Sequence, residues 1–84
     1  MKVEMYYMAS CPYCKRALAL LEKKGVNVTL HDVNSDPKVW DESKKRSGRG
    51  TVPQIFIGDF HVGGCDDLMA LDRKGELDAH LKGE

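Results

Sequence analysis

The chain has 84 residues, of which 13 are Lys or Arg and 13 are Asp or Glu, so its formal net charge is zero. A chain of this length has room for one hydrophobic core, so we expect a single domain over residues 1–84, and a monomer. The balanced charge provides no attraction to nucleic acid or anionic lipid, so we expect neither as a partner. Glu4 stands where a signal peptide would need an apolar run, and no segment reaches transmembrane length, which predicts a cytoplasmic protein.

The first part of the chain predicts a strand, a helix and a second strand. The first strand covers about Lys2–Met8, and the helix begins at Cys11 or Pro12. It ends at Gly25, because glycine readily adopts the left-handed conformation just past a helix. Residues 26–33 alternate apolar and polar side chains with the period of a half-buried strand. This order predicts two parallel strands joined by a right-handed crossover.

A second helix follows, with clear signals at both ends. Asp36-Pro37 supplies an N-cap residue and a proline at the first helical position. We expect the helix to end near Ser47-Gly48. The last turn carries a basic cluster, Lys44–Arg46, with Arg49 close behind. Cations suit the last turn of a helix, so we expect this cluster to be a solvated helix end.

The last part of the chain predicts a β-hairpin and a final helix. Gln54–Ile57 and Phe60–Val62 are apolar runs joined by a two-residue loop that begins with Gly58. The final helix begins at Asp66, and Gly75 interrupts it before a short terminal piece. We therefore expect an α/β fold in which a four-stranded mixed sheet and about three helices follow the order βαβ-α-ββα.

Cys11 and Cys14 lie one helical turn apart at the junction between the first strand and the first helix. This spacing brings their Cα atoms to roughly 5–6 Å, so the two thiols can form a disulfide. The ring is small and stabilises the fold by only about 2 kcal/mol, which suits a bond that opens and closes. The helix N-terminus favours a thiolate at Cys11, whereas Cys14 begins the apolar stripe of the helix. We interpret Cys11 as the nucleophile and Cys14 as the resolving thiol of a redox enzyme.

Two cysteines at this spacing also occur in zinc sites, which need two further ligands. The remaining candidate ligands are Cys65, His31, His61 and His80, and none of them has a paired spacing. Both His31 and His61 fit polar strand positions, and His80 fits a solvated helix end. We therefore expect no metal.

Thr51-Val52-Pro53 precedes the third strand, where Pro53 should mark the strand's start or edge. The tripeptide alone favours a trans proline. A cis bond costs only about 0.5–1 kcal/mol and would offer the Val52 backbone to an extended peptide.

Gly63-Gly64 and the residues after it open the final helix. The glycines allow close approach of a ligand, and the helix N-terminus can bind a carboxylate. Asp66 or Asp67 can accept from an ammonium group, or can simply cap the helix. Cys65 fits a small buried apolar residue better than a third catalytic thiol.

Together these segments resemble the glutaredoxin family, specifically its short dithiol bacterial type. The matching segments are Cys11–Cys14, Arg49–Ile57 and Gly63–Leu68, and their order and spacing span nearly the whole chain. The resemblance implies a thioredoxin-like fold and the reduction of disulfides, particularly glutathione mixed disulfides. It also implies glutathione as the reducing co-substrate, no tightly bound cofactor, and glutathionylated or disulfide-containing proteins as partners, with ribonucleotide reductase as one candidate.

The resemblance assigns site residues by matching position. Cys11 is the attacking thiol and Cys14 the resolving one. The residues expected to line the glutathione groove are Tyr13, Thr51, Val52 and Pro53, with Pro53 cis. The γ-glutamyl head group is expected to contact the Cys65 backbone N–H and the Asp66 carboxylate, with help from Asp67.

One position departs from the family pattern. Many relatives carry a lysine three residues before the first active-site cysteine, and here that residue is Met8. The glycyl carboxylate of glutathione then needs another cation, for which Arg49 and Lys45 are the candidates.

Two other functions remain open for such a chain. One is an iron–sulfur cluster carrier, in which two monomers bridge a cluster through Cys11 and glutathione. Pro12 and Cys14 argue against this function. The other is a related redoxin reduced by thioredoxin reductase. Asp66 and the Cys-Pro-Tyr-Cys tetrad favour glutathione instead.

Overall fold

A computed structural model describes residues 2–82, which form four strands and four helices. None of these helices is long and apolar enough to cross a membrane. The predicted order βαβ-α-ββα is confirmed, with the terminal piece forming a short fourth helix. The elements are β1 (Val3–Tyr7), α1 (Pro12–Lys23), β2 (Val28–Asp32), α2 (Pro37–Ser47), β3 (Gln54–Ile57), β4 (Phe60–Gly63), α3 (Cys65–Arg73) and α4 (Leu77–Leu81).

The sheet has the strand order β2-β1-β3-β4. β1 pairs in parallel with β2, placing Val3 opposite Val28, and antiparallel with β3, placing Met5 opposite Ile55. β3 and β4 form the predicted hairpin, with a register shift at Ile55/Phe56. β3 runs against both of its neighbours, so the ends of β1 and β4 lie beside its start. The three segments that carry the sequence motifs therefore meet at the same end of the strands.

Buried residues of the central strands β1 and β3 form a cluster on each face of the sheet. On one face Tyr6, Val33 and Phe56 form a small cluster with Trp40 of α2 packed against it. All four residues of β3 are buried, which explains its continuous apolar run. The larger cluster, on the other face, comprises Val3, Met5, Ala17, Leu21, Ile55, Ile57, Cys65, Leu68 and Leu77.

The basic cluster at the end of α2 is exposed, as predicted, and Arg46 in addition contacts the sheet, which the sequence did not reveal. Its guanidinium donates to the Glu4 carboxylate at 3.2 Å and to the Tyr6 hydroxyl at 3.1 Å, and lies 4.0 Å from the Phe56 ring centroid. Burial opposes ionisation of Glu4, but hydrogen bonds from Arg46 and His31 outweigh it and lower the pKa of Glu4. A cation on a long apolar stem can pack against a sheet, and charge patterning alone does not reveal this.

Candidate active site

Cys11 is the N-cap residue of α1. Its backbone is extended, with φ −89° and ψ 113°, and its Sγ accepts a hydrogen bond from the Cys14 backbone N–H at 3.3 Å. Pro12 occupies the first helical turn, where its missing N–H leaves no partner unsatisfied. The loop before the helix is closed by a hydrogen bond from the Cys11 N–H to the Met8 carbonyl at 3.1 Å. The helix start therefore presents the Cys11 sulfur where backbone N–H groups and the helix dipole stabilise an anion.

The two thiols of this motif are free and lie in different environments. Cys11 is partly exposed, whereas Cys14 is only 2% exposed. Burial, together with the contact with Cys11, raises the pKa of Cys14 to about 12. The thiol of Cys14 is therefore protonated at neutral pH, and Cys11 is the sulfur that an external disulfide can reach.

A cleft of about 230 Å³ lies between the loop before β3 and the N-terminus of α3. The Val52–Pro53 peptide bond on its wall is cis, and the Val52 carbonyl oxygen lies 3.9 Å from the Cys11 Sγ. Arg49 and Gly64 also line the cleft. The remaining lining residues are the seven that the sequence resemblance assigned to glutathione: Tyr13, Thr51, Val52, Pro53, Cys65, Asp66 and Asp67.

The two aspartates of α3 have different surroundings. Asp67 Oδ2 accepts from Arg49 at 2.9 Å and from the Gly64 backbone N–H at 3.0 Å. The hydrogen bonds from Arg49 and then Gly64 lower the pKa of Asp67, so its carboxylate is ionised at neutral pH. The Asp66 side chain is exposed at the cleft. Of the two candidate cations, Arg49 lines the cleft, whereas Lys45 lies in a separate depression on α2.

One of the two glycines before α3 is needed for the close approach of the helix cap. Gly63 has φ +111°, and a Cβ there would collide with the Asp67 carboxylate. A Cβ at Gly64 would lie 3.5 Å from the Pro53 carbonyl oxygen. Cys65 is 7% exposed, and burial, followed by a neighbouring carboxylate, raises the pKa of its thiol. Gly63 therefore leaves room for the capping side chain, whereas a Cβ at Gly64 would make only ordinary van der Waals contact with the opposite loop.

The sequence did not reveal the contacts that join Thr51, Gln54 and His61 beside the cleft. Gln54 is fully buried and donates to both the carbonyl and the hydroxyl oxygen of Thr51. His61 contacts Gln54 on its other side. The available signal was a glutamine heading an apolar strand, because a buried carboxamide requires hydrogen-bond partners.

Residues 2–82 contain no group of three or more His, Cys, Asp or Glu side chains that could hold a metal ion. The histidines considered as zinc ligands have other contacts. His31 lies 3.1 Å from the Glu4 carboxylate, and His80 stacks on Phe60 with ring centroids 4.1 Å apart.

Comparison with known sequences identifies close relatives. The sequence model of the family described as Glutaredoxin matches residues 3–62. Glutaredoxin 3 of Escherichia coli strain K12 is 54% identical over 80 residues, covering 95% of this chain and 96% of the relative. A glutaredoxin of Pseudomonas aeruginosa is 51% identical over 79 residues, covering 94% of each.

Solved structures give the same result. The solution structure of glutaredoxin from Brucella melitensis is similar with a TM-score of 0.87 and 50% identity, covering 100% of this chain and 92% of that one. The crystal structure of a buckwheat glutaredoxin–glutathione complex has a TM-score of 0.89 and 27% identity, covering 96% and 76%. These likenesses confirm the predicted thioredoxin-like fold. The chain therefore belongs to the glutaredoxin family of thiol-disulfide oxidoreductases.

Proposed function

We propose that the protein is a glutathione-dependent oxidoreductase that reduces glutathione mixed disulfides and protein disulfides through Cys11 and Cys14. The observation that carries this proposal is the cleft beside Cys11, whose Sγ lies 3.9 Å from the Val52 carbonyl on its wall. The buckwheat relative was solved in complex with glutathione, which supports the same ligand class here.

The chemistry of the cleft suits glutathione, an extended tripeptide with two carboxylates and one ammonium group. The Val52 backbone can pair with an extended chain. The Cys65 N–H at the start of α3 suits the γ-glutamyl carboxylate. Asp66 suits the adjacent ammonium group, with Asp67 close by. Arg49 also lines the cleft, but its ion pair with Asp67 at 2.9 Å places it beside the γ-glutamyl end rather than the glycyl end.

In the proposed reaction, the Cys11 thiolate attacks the glutathionyl sulfur of a mixed disulfide. A new sulfur–sulfur bond forms as the old one breaks, and the substrate leaves as a thiolate that takes a proton from water. A second glutathione thiolate then attacks the glutathionyl sulfur on Cys11. This step releases oxidised glutathione and returns the Cys11 thiolate.

With a protein disulfide, Cys11 first forms a mixed disulfide with the substrate. Cys14 then loses its proton and attacks the Cys11 sulfur, which releases the second substrate thiol and leaves a Cys11–Cys14 disulfide. Two glutathione molecules reduce that disulfide and become one molecule of oxidised glutathione.

Substitution of the resolving thiol tests these roles. We expect Cys14→Ser to keep turnover of a glutathionylated substrate, because that route uses only Cys11, and to lose reduction of a protein disulfide such as insulin. Turnover is followed with glutathione, glutathione reductase and NADPH. Cys11→Ser should lose both activities.

Two outcomes would contradict the proposal. A Cys14→Ser enzyme that is inactive on glutathionylated substrate would refute the division between the thiols. Turnover by the unmodified protein with thioredoxin reductase alone, and none with glutathione and its reductase, would refute glutathione dependence.

The reaction requires a compartment rich in reduced glutathione, so the cytoplasm is the proposed location. Glutathionylated and disulfide-containing proteins are the proposed partners, with ribonucleotide reductase as one candidate.

A further inference from the structure

Gln54 is a fully buried polar side chain directly after the cis peptide bond. Its Nε2 donates to the Thr51 carbonyl oxygen at 3.1 Å and to the Thr51 Oγ1 at 3.2 Å. A buried carboxamide is strongly unfavourable unless its nitrogen and its oxygen are both hydrogen-bonded. The Gln54 oxygen therefore needs a donor on its other side.

His61 of β4 is that donor. Its Nε2 lies 2.8 Å from the Gln54 Oε1. The Thr51 carbonyl can only accept, so the Gln54 amide nitrogen faces Thr51 and its oxygen faces His61. Nε2 of His61 must then carry a proton. The hydrogen bonds run in one direction, from His61 through Gln54 to Thr51.

The surroundings of His61 fix its ring and its protonation. The ring stacks on Phe56 with centroids 4.8 Å apart and planes 25° apart. Burial and then the charge of Arg49 lower the pKa of His61, with Arg46 acting in the same direction and Asp67 in the opposite one. The ring is therefore neutral at neutral pH, and its proton lies on Nε2.

We propose that Gln54 and His61 are positioning residues that fix Thr51 for binding the glutathionyl group. Neither residue lines the cleft, whereas Thr51 does. Because the Thr51 hydroxyl oxygen accepts from Gln54, its own proton points elsewhere and can be donated to an oxygen of the ligand. This role rests on the proposed function, and it explains what holds Thr51 in place on the wall of the cleft.

The first test removes the hydrogen bonds without removing bulk. We expect Gln54→Met to raise KM for a glutathionylated substrate about fivefold to tenfold, the effect of roughly one neutral hydrogen bond, and to leave kcat within about twofold. Thr51→Val should raise KM similarly. The double variant should be no worse than either single one, because both act on the same contact.

The second test uses a titratable replacement. In Gln54→Glu, a protonated carboxyl can donate to Thr51 and accept from His61, whereas a carboxylate cannot donate. The ratio of variant to parent kcat/KM should therefore approach one at low pH and fall as the carboxyl ionises. Dividing by the parent value at each pH removes the pH dependence that the two proteins have in common.

A third measurement is independent of activity. Nitrogen-15 chemical shifts of His61 in the reduced, unmodified protein should report the Nε2–H tautomer at neutral pH. The Nδ1–H tautomer would overturn the inference even if the variants failed to fold.

The two proposals fail in different ways. Normal turnover of glutathionylated substrate with an unchanged KM in Gln54→Met would overturn the positioning role alone. Absence of glutathione-dependent turnover in the unmodified protein would overturn the proposed function and this inference together.

Discussion

Cys11 and Cys14 lie one helical turn apart, yet Cys11 is partly exposed and Cys14 is buried. Successive helical residues rotate by about 100°, so a step of three returns close to the same side but one turn deeper into the fold. The backbone N–H of Cys14 still reaches the Cys11 sulfur at 3.3 Å. The same few residues thus supply an accessible thiol and a protected partner within reach of it.

Ser43 of α2 has a buried hydroxyl, and its oxygen has no hydrogen-bond partner among residues 2–82. We expect Ser43→Ala to raise the free energy of unfolding by about 1 kcal/mol, because it removes an unpaired polar group and improves helix propensity. Urea denaturation measures the change, and a gain of that size should raise Tm by about 4–8 °C.

Ser47 of the same helix is the matched control. Its hydroxyl donates to the Ser43 carbonyl at 2.6 Å and accepts from the Arg49 N–H at 3.1 Å. Ser47→Ala should therefore lower the free energy of unfolding by about 1 kcal/mol. If both alanine substitutions change stability in the same direction, the account of Ser43 is wrong.

At the scale of the element, α2 ends through the conformation of Gly48. Its φ is +70°, and its N–H donates to the Lys44 carbonyl at 2.8 Å. Gly48→Ala should lower stability by about 1–2 kcal/mol, because a Cβ is disfavoured in the left-handed region. Gly50→Ala is the control, since that position has no positive φ and no atom within 4 Å of an added Cβ. Equal losses in denaturation experiments on the two variants would contradict this explanation.

Elements with strong local signals could be predicted from the sequence, and contacts between elements could not. Asp36 marks the start of α2 and Gly48 its end through short-range hydrogen bonds and backbone preference. The turn of Arg46 toward the sheet depends on how α2 packs. The bond between Gln54 and His61 depends on the hairpin register, which shifts at a bulge. Tertiary arrangement decides such contacts, and residue type alone does not reveal it.

At the scale of the whole molecule, Glu4 connects the sheet to α2. It accepts hydrogen bonds from Arg46 and His31, and these lower its pKa below the ordinary 4.5 despite burial. The unfolded chain therefore binds a proton at this group more readily than the folded one. The resulting stabilisation is present above pH 4.5 and is lost as the pH falls through the folded pKa.

This acid sensitivity can be measured by urea denaturation between pH 7 and pH 3. We expect Glu4→Gln to be less stable than the parent protein at pH 7 and to lose less stability on acidification. Asp59→Asn, at an exposed position in the hairpin loop, should follow the parent curve. If the free energy of unfolding of Glu4→Gln changes with pH as steeply as that of the parent, Glu4 does not contribute to the acid sensitivity.

The candidate site was predictable because each of its three segments carries its own local pattern. The Cys-Pro-Tyr-Cys tetrad, Thr51–Pro53 and Gly63–Asp67 could each be interpreted before the fold was known. The Arg49–Asp67 ion pair was not predicted, because two exposed charges far apart in sequence give no sign of their distance in space. Its presence makes Asp67 a capping and pairing group as well as a wall of the cleft.

The two thiols are neighbours in the sequence, whereas the cleft wall beside them is brought there by the strand order. The thiols of Cys11 and Cys14 lie within four consecutive residues, whereas Cys11 and Val52 are 41 positions apart and meet only through the sheet. An unfolded chain would still carry a neighbouring pair of thiols able to react with many disulfides. Folding adds a helix N-terminus that favours an anion at Cys11, a buried position for Cys14, and the wall of the cleft beside Cys11.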